Sequence, residues 1–205
     1  MPISLRRALS VTVFLLLPIG GCALIPNEIP AADREHARPA VVFDIDGTLT
    51  PRPYEFLTAR VNAVNAVKLY ADKGYQIVYL SARSNYARAG TLKWLRRHKF
   101  PDGITNVAES AADGKNPAKY KTRMLSALIA KGWQIQYAYG DSSTDFSAYA
   151  SVAIPPDHVF GLRRSGHRNC QPGPVADCLH GWTAHLAYIA LVPPGSSKSV
   201  AGNDK

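Results

Sequence analysis

Apolar positions in this chain fall in short unbroken runs, each closing on small or acidic residues and most followed by a stretch of helical spacing. Val41-Val42-Phe43 runs into Asp44-Ile45-Asp46-Gly47-Thr48-Leu49-Thr50, and residues 75–80 run into Ser81-Ala82-Arg83. Residues 133–139 run into Gly140-Asp141-Ser142-Ser143-Thr144-Asp145. Runs of this length suit parallel strands covered on both faces. A weaker strand is expected over 104–107, and two more short strands over 151–154 and 159–162.

Between the runs the spacing turns helical. Leu57, Val61, Val64, Val67 and Ala71 predict a helix over 58–73, which Gly74 ends. Further helices are expected over 85–98 and 117–131, after the second acidic loop, and around Trp182, Leu186 and Ile189, while 108–116 reads as a polar connection. In the helix over 117–131, Lys121, Leu125, Leu128 and Ile129 share one face, and Lys119, Arg123 and Ser126 share the other. A lysine on the stripe facing the sheet is costly unless its ammonium reaches an anionic site at the stripe's end.

Strands alternating with helices predict an α/β fold, a Rossmann-like, mostly parallel sheet with helices on both faces and no room for a large cap domain. In such sheets ligands bind beyond the carboxyl ends of the strands.

The chain's ends do not follow this pattern. Arg6 and Arg7 precede an uncharged run over 8–19, too short to span a bilayer but suited to the apolar region of an export signal. It closes on Ile19-Gly20-Gly21-Cys22, which resembles the lipobox of bacterial lipoproteins, where the cysteine is acylated. The alternative is an ordinary cleavable signal in which Cys22 is incidental. The expected organisation is a lipoprotein signal over 1–21, a tether over 22–38, one domain over 39–192 and a disordered tail over 193–205. It places the protein in the bacterial cell envelope, lipid-anchored and facing the periplasm.

In that oxidising setting Cys170 and Cys178 favour a disulfide, with a zinc site drawing on His167 and His180 as the alternative. The chain's formal charge of +9 falls to about +7 once Arg6 and Arg7 leave with the signal. Such a surface favours anionic partners. Arg163, Arg164, His167 and Arg168 form a basic stretch that would contact anionic lipid or simply be a solvated loop. Nucleic acid is not expected, because no stacking motif or groove signature accompanies the charge.

The chemistry lies at the strand ends. Alternate side chains on an extended stretch point the same way, so Asp44 and Asp46 face one place and repel. A divalent cation or a protonated carboxyl would relieve that repulsion, although Asp-Gly is also a hairpin turn signal. Asp145 would otherwise be a helix cap, Ser81 a turn residue and Arg83 a surface cation. Together with Lys121 and Asp141 they make a set for phosphoryl transfer. One carboxylate attacks phosphorus to form an aspartyl phosphate, and a neighbouring acid protonates the leaving oxygen and then activates water. Magnesium and lysine neutralise the oxygens.

In that order these residues resemble the haloacid dehalogenase superfamily of phosphohydrolases, whose first motif, D-x-D-x-T, is here Asp44-Ile45-Asp46-Gly47-Thr48. The resemblance implies Asp44 as nucleophile, Asp46 as general acid and base, Thr48 as an orienting hydroxyl, and Ser81 and Lys121 holding the phosphate. It also implies Mg2+ on the carboxylates of Asp44 and Asp141 and the main-chain carbonyl of Asp46, with Asp145 steadying the set. Leu80-Ser81-Ala82-Arg83, Tyr120-Lys121, Tyr139-Gly140-Asp141 and Ile154-Pro155 are more specifically similar to lipin-type phosphatidate phosphatases. That family removes phosphate from phosphatidic acid with magnesium, and its non-catalytic relatives in phosphatidylinositol-transfer proteins bind phosphatidic acid after losing the first motif's acids.

The chain departs from lipins in carrying Asp141 where asparagine is usual and in lacking the N-terminal lipin domain. The expected function is therefore a magnesium-dependent phosphomonoesterase acting on a phosphomonoester, with phosphatidic acid as the candidate lipid. Arg83 would read the headgroup. A broad-specificity acid phosphatase and a phosphatidate-binding module without turnover are the alternatives.

Overall fold

The computed structural model describes residues 27–32, 38–53, 55 and 57–195. The expected signal over 1–21, Cys22 and the tail from 196 lie outside the described residues. Six strands form one wholly parallel sheet in the order β3-β2-β1-β4-β5-β6. They are β1 (Arg38–Phe43), β2 (Gln76–Ser84), β3 (Ile104–Ala108), β4 (Trp133–Gly140), β5 (Val159–Leu162) and β6 (Asp177–Leu179). Six helices flank it: α1 (Ala63–Asp72), α2 (Arg88–Arg97), α3 (Ala111–Lys115), α4 (Pro117–Ala130), α5 (Ser143–Ser151) and α6 (Trp182–Leu191). None is long and apolar enough to cross a membrane.

Alternation along the strands builds the two sides of the core. Val41 and Phe43 pack with Ala66, Tyr70, Trp182 and Ile189 on one face, and Ala40 and Val42 with Met124, Leu125, Leu128 and Phe146 on the other. Phe43, Tyr139 and Phe160 occupy paired register positions on β1, β4 and β5. Their rings stack with centroids 5.1 and 5.2 Å apart. This ladder lies one residue below the acidic loops.

Four expectations change. The first helix begins at Ala63 instead of 58, because Asn62 takes a left-handed conformation (φ 62°) that breaks it. Leu57 and Val61 therefore stay outside the helix and exposed. Residues 151–154 are not a strand: α5 runs through Ser151, and Ala153 at φ 57° turns the chain so that Ile154 enters the core. The connection over 108–116 contains α3, whose start Ser110 and Asp113 close with a capping box.

The segment expected as a tether is docked over 27–32. Asn27 Nδ2 donates to the Val107 carbonyl (2.8 Å), and Asn27 Oδ1 accepts from the Val107 N–H (3.1 Å) and from Arg88 Nη1 (2.7 Å). At the other end the Trp133 indole donates to the Pro30 carbonyl, and the Ala32 N–H donates to the Lys131 carbonyl.

Cys170 and Cys178 form a disulfide, with their Cα atoms 5.7 Å apart. It ties the loop after β5 to β6, a three-residue strand that hydrophobic patterning does not reveal.

A buried hydrogen-bonded chain links Tyr70, Tyr139 and His185 behind the ring ladder, at 2.7 and 3.0 Å. Burial pushes His185 down to about 4, against a small upward pull from Asp177. Below its ordinary value the unfolded chain takes up a proton that the native imidazole refuses, so stability is intact above about 6.5 and falls as pH drops toward 4. His185→Gln should shrink the loss in melting temperature between about pH 7 and about pH 4.5. An unchanged loss would remove His185 from the account of acid sensitivity.

Candidate active site

The carboxyl ends of β1, β2 and β4 and the first turns of α4 and α5 meet at one rim. The pocket there is about 280 Å³ and is lined by Asp44, Asp46, Arg83, Lys121, Asp141 and Arg164, among others. Asp44 leaves β1 with its N–H donating to the Tyr139 carbonyl (2.9 Å), and the Thr48 hydroxyl donates to Asp44 Oδ2 (3.0 Å). Lys121, buried at the start of α4, donates to Asp44 Oδ1 (2.6 Å) and to Asp145 Oδ1. The helical stripe thus delivers its lysine to the anionic end of the sheet, while Lys119 faces solvent.

Asp145 is both a helix cap and a site residue. Its Oδ2 accepts from the N–H groups of Asp141 and Ser142 and from the Ser142 hydroxyl, closing a capping box on α5. These three donors fill Oδ2, while Oδ1 carries the Lys121 bond alone. Asp141 stands beside it and takes an ion pair from Arg164.

Asp46 lines the same pocket with different partners. Arg83 grips its carboxylate with two bonds of 2.8 Å, and the Ser81 hydroxyl donates to it at 3.1 Å. Arg83, expected to reach toward a headgroup, thus holds the neighbouring acid and is itself buried. Thr48 and Ser81 are fully buried too, and each bonds a carboxylate of the pocket.

Two contributors were not legible as site residues. Arg164 comes from the loop after β5, where only its basic neighbourhood stood out. Arg60 donates to the carbonyls of Thr50 (3.2 Å), Gly47 (2.7 Å) and Arg163 (2.8 Å), bracing the first acidic loop.

Burial and neighbouring acids penalise the negative charge of this cluster. Burial raises Asp44 well above the ordinary carboxylate range; Lys121 opposes the rise, and Asp145, Asp141 and Asp46 add to it. Asp141 is also raised by burial, against the hydrogen bond from Arg164. Lys121 is held above its ordinary value: burial works to lower it, and Asp145 and Asp44 outweigh that.

Among the described residues, Asp44, Asp141 and Asp145 each present a carboxylate oxygen within 4.8 Å of the others. A hard divalent cation fits this all-oxygen set and would offset the charge that burial penalises. Gly47 leaves room for the Asp141 carboxylate. At φ 80°, a Cβ there would come within 2.0 Å of Asp141 Oδ2.

Gly47→Ala should therefore displace the Asp141 carboxylate, weaken stabilisation by Mg2+ in a thermal titration, and cost about 1–3 kcal/mol of backbone strain. An unchanged Mg2+ titration would separate Asp141 from the metal.

Residues 41–163 match the family model described as PITM 1-3, LNS2 domain. The chain belongs to this LNS2 family. The LNS2 domain is 30% identical over 167 residues to protein retinal degeneration B of Drosophila melanogaster, covering 80% of this chain and 13% of that protein. It is 28% identical over 156 residues to membrane-associated phosphatidylinositol transfer protein 2 of Homo sapiens, covering 73% and 11%. The chain thus spans about an eighth of the length of these relatives.

Among solved structures it is similar to a protein of Mesorhizobium loti described as a HAD-like phosphatase, with a TM-score of 0.53 and 17% identity over 87% of this chain and 93% of that one. A chain of the Pnkp1/Rnl/Hen1 complex aligns with a TM-score of 0.55 and 19% identity, over 71% and 53%. At these identities the likeness is one of fold. It agrees with the parallel sheet: this LNS2 domain is a haloacid dehalogenase-like α/β fold.

Proposed function

We propose that this chain is an exported, membrane-anchored, magnesium-dependent phosphomonoesterase that works through an aspartyl phosphate on Asp44, with a lipid phosphate such as phosphatidic acid as substrate. The observation that carries it is the convergence of Asp44, Asp46, Lys121 and Asp141 on one pocket. Asp44 and Asp141, with the main-chain carbonyl of Asp46, would hold Mg2+. The ion would supply positive charge against the oxygens of the transferring phosphoryl group.

The remaining chemistry belongs to the side chains. An Asp44 oxygen attacks phosphorus as the bond to the leaving ester oxygen breaks, and Asp46 delivers a proton to that oxygen. Asp46 then takes a proton from water as the water attacks the acyl phosphate, which frees inorganic phosphate and restores Asp44. Thr48 orients Asp44, Arg83 and Ser81 fix Asp46, and Lys121 favours the charged form of Asp44 and meets the phosphoryl oxygens.

The family match favours a second reading, binding of phosphatidate without turnover, because relatives are named as phosphatidylinositol transfer proteins. Both acids of the first motif are present here and stand in the pocket, which supports the enzyme.

Phosphate release by the full chain, from phosphatidate in mixed micelles and from a soluble monoester, separates the readings. Release with Mg2+ and none with chelator is expected, with phosphatidate preferred. Metal-dependent release from the soluble ester alone would point to a broad-specificity phosphatase. No metal-dependent release from either would sink the enzyme and leave the binding module.

A further inference from the structure

The docked segment 27–32 leads away from the catalytic rim. Val107, which Asn27 grips, is paired in register with Ser81 at the end of β2, and β3 lies two strands from β1. At about 4.8 Å per strand, β3 lies about 10 Å to the side of Asp44's strand, and Asn27, bonded to its outer edge, lies about 14 Å to the side and level with the site. From there the segment descends the face carrying α4 to Lys131 and Trp133 at the opposite edge, where β1 begins. Asn27 is bonded to both main-chain groups of an edge-strand residue, as a neighbouring strand would be, and to Arg88 as well. Ala32 is buried and Ile29 packs on the core. Residues 27–32 therefore work as a strap, and the chain enters the domain at the rim.

Cys22 precedes Asn27 by five positions. Five residues reach at most about 17 Å even when fully extended. The same rim carries exposed apolar side chains after β1 and β2: Val61 at 78% and Tyr86 at 84% exposure. Arg52 and Arg168, both exposed, stand on neighbouring rim loops, and exposed Lys115 ends α3 beside them. Tyrosine and valine beside cations suit the boundary of an anionic bilayer.

We infer that the strap holds the catalytic rim face-on to the anionic membrane carrying the Cys22 anchor, so that the pocket opens toward lipid headgroups. This rests on the lipoprotein reading of residues 1–22 and gives the proposed enzyme a substrate confined to the surface of that membrane.

The test uses the full chain, matured in a bacterial envelope and reconstituted in phosphatidylethanolamine–phosphatidylglycerol vesicles with quencher-bearing lipid. A fluorophore is attached at Val61→Cys or Tyr86→Cys on the rim, and at Ile129→Cys or Leu191→Cys on the opposite edge. Quenching several-fold stronger at the two rim positions is expected. Equal quenching, or stronger quenching at the opposite edge, overturns the orientation.

Asn27→Leu releases the strap and should bring the ratio toward one, and a ratio left unchanged would show that the strap does not set the orientation. Mass spectrometry without acyl groups on Cys22 also overturns it. Metal-dependent phosphate release from the soluble ester, measured on the same preparation, shows separately whether the enzymatic reading stands.

Discussion

Asp44→Asn will abolish turnover, by at least on the order of 10^4-fold, while leaving the metal-free domain no less stable than the parent. The amide has the shape of the carboxylate: its oxygen still accepts from Lys121, and its Nδ2 donates to the Thr48 hydroxyl, which turns to accept where it donates in the parent. It cannot attack phosphorus. The unchanged or raised melting temperature follows from the sign of the pKa shift.

Asp44 is raised by burial, despite Lys121, and by three neighbouring acids. A carboxyl held above its unfolded value contributes stability that is present at low pH and lost as pH rises through the native value. At neutral pH the parent bears that loss and the asparagine variant does not. Stabilisation by Mg2+ should shrink at the same time, because one of its oxygen donors has lost its charge. Turnover near the parent rate would refute Asp44 as nucleophile, whatever the melting temperature did.

Lys121→Met should destabilise the domain by about 3–5 kcal/mol in urea unfolding near neutral pH, and also remove activity. Methionine fills the buried stem of the lysine, but Asp44 and Asp145 then share a dry site without their cation. The loss should ease on acidification. Lys121 is the group that draws Asp44 downward, so without it Asp44 takes a proton at higher pH and the repulsion with Asp145 disappears. Adding Asp44→Asn to Lys121→Met should recover much of the lost stability, because the two residues are bonded and their effects do not add. Additive losses would mean that Lys121 stabilises the fold by packing alone.

Much of this architecture is legible in the sequence, because strand ends in a parallel sheet are marked by where the apolar runs stop. Lys121 is legible for a related reason: its helical face is apolar except for its own ammonium. The misplaced start of α1 turns on Asn62, whose left-handed conformation depends on what the preceding loop must reach. The loop is set by Arg60, which bonds three carbonyls distant in sequence.

Arg164 and β6 are hidden for the same cause, since a tertiary contact and a cross-linked three-residue strand leave no periodic trace. The docked segment is polar and proline-bearing, and reads as tether because Asn27 supplies by side chain what a strand supplies by backbone. Composition reveals a cation in Arg83, and only the coordinates reveal that Asp46 is its partner.

Beneath the acids, Phe43, Tyr139 and Phe160 form a stack of three aromatic side chains, one per strand. Because Asp44 and Asp141 leave the chain within two residues of the first two rings, the gap between the acids is inherited from ring thickness and strand pitch, with the flexible connections above having little say. Loop sequences around the mouth can therefore drift and re-tune which molecule is admitted without detuning the reactive pair. Shaving one ring to alanine would disturb that gauge from below, with no change at all to the residues in view of solvent.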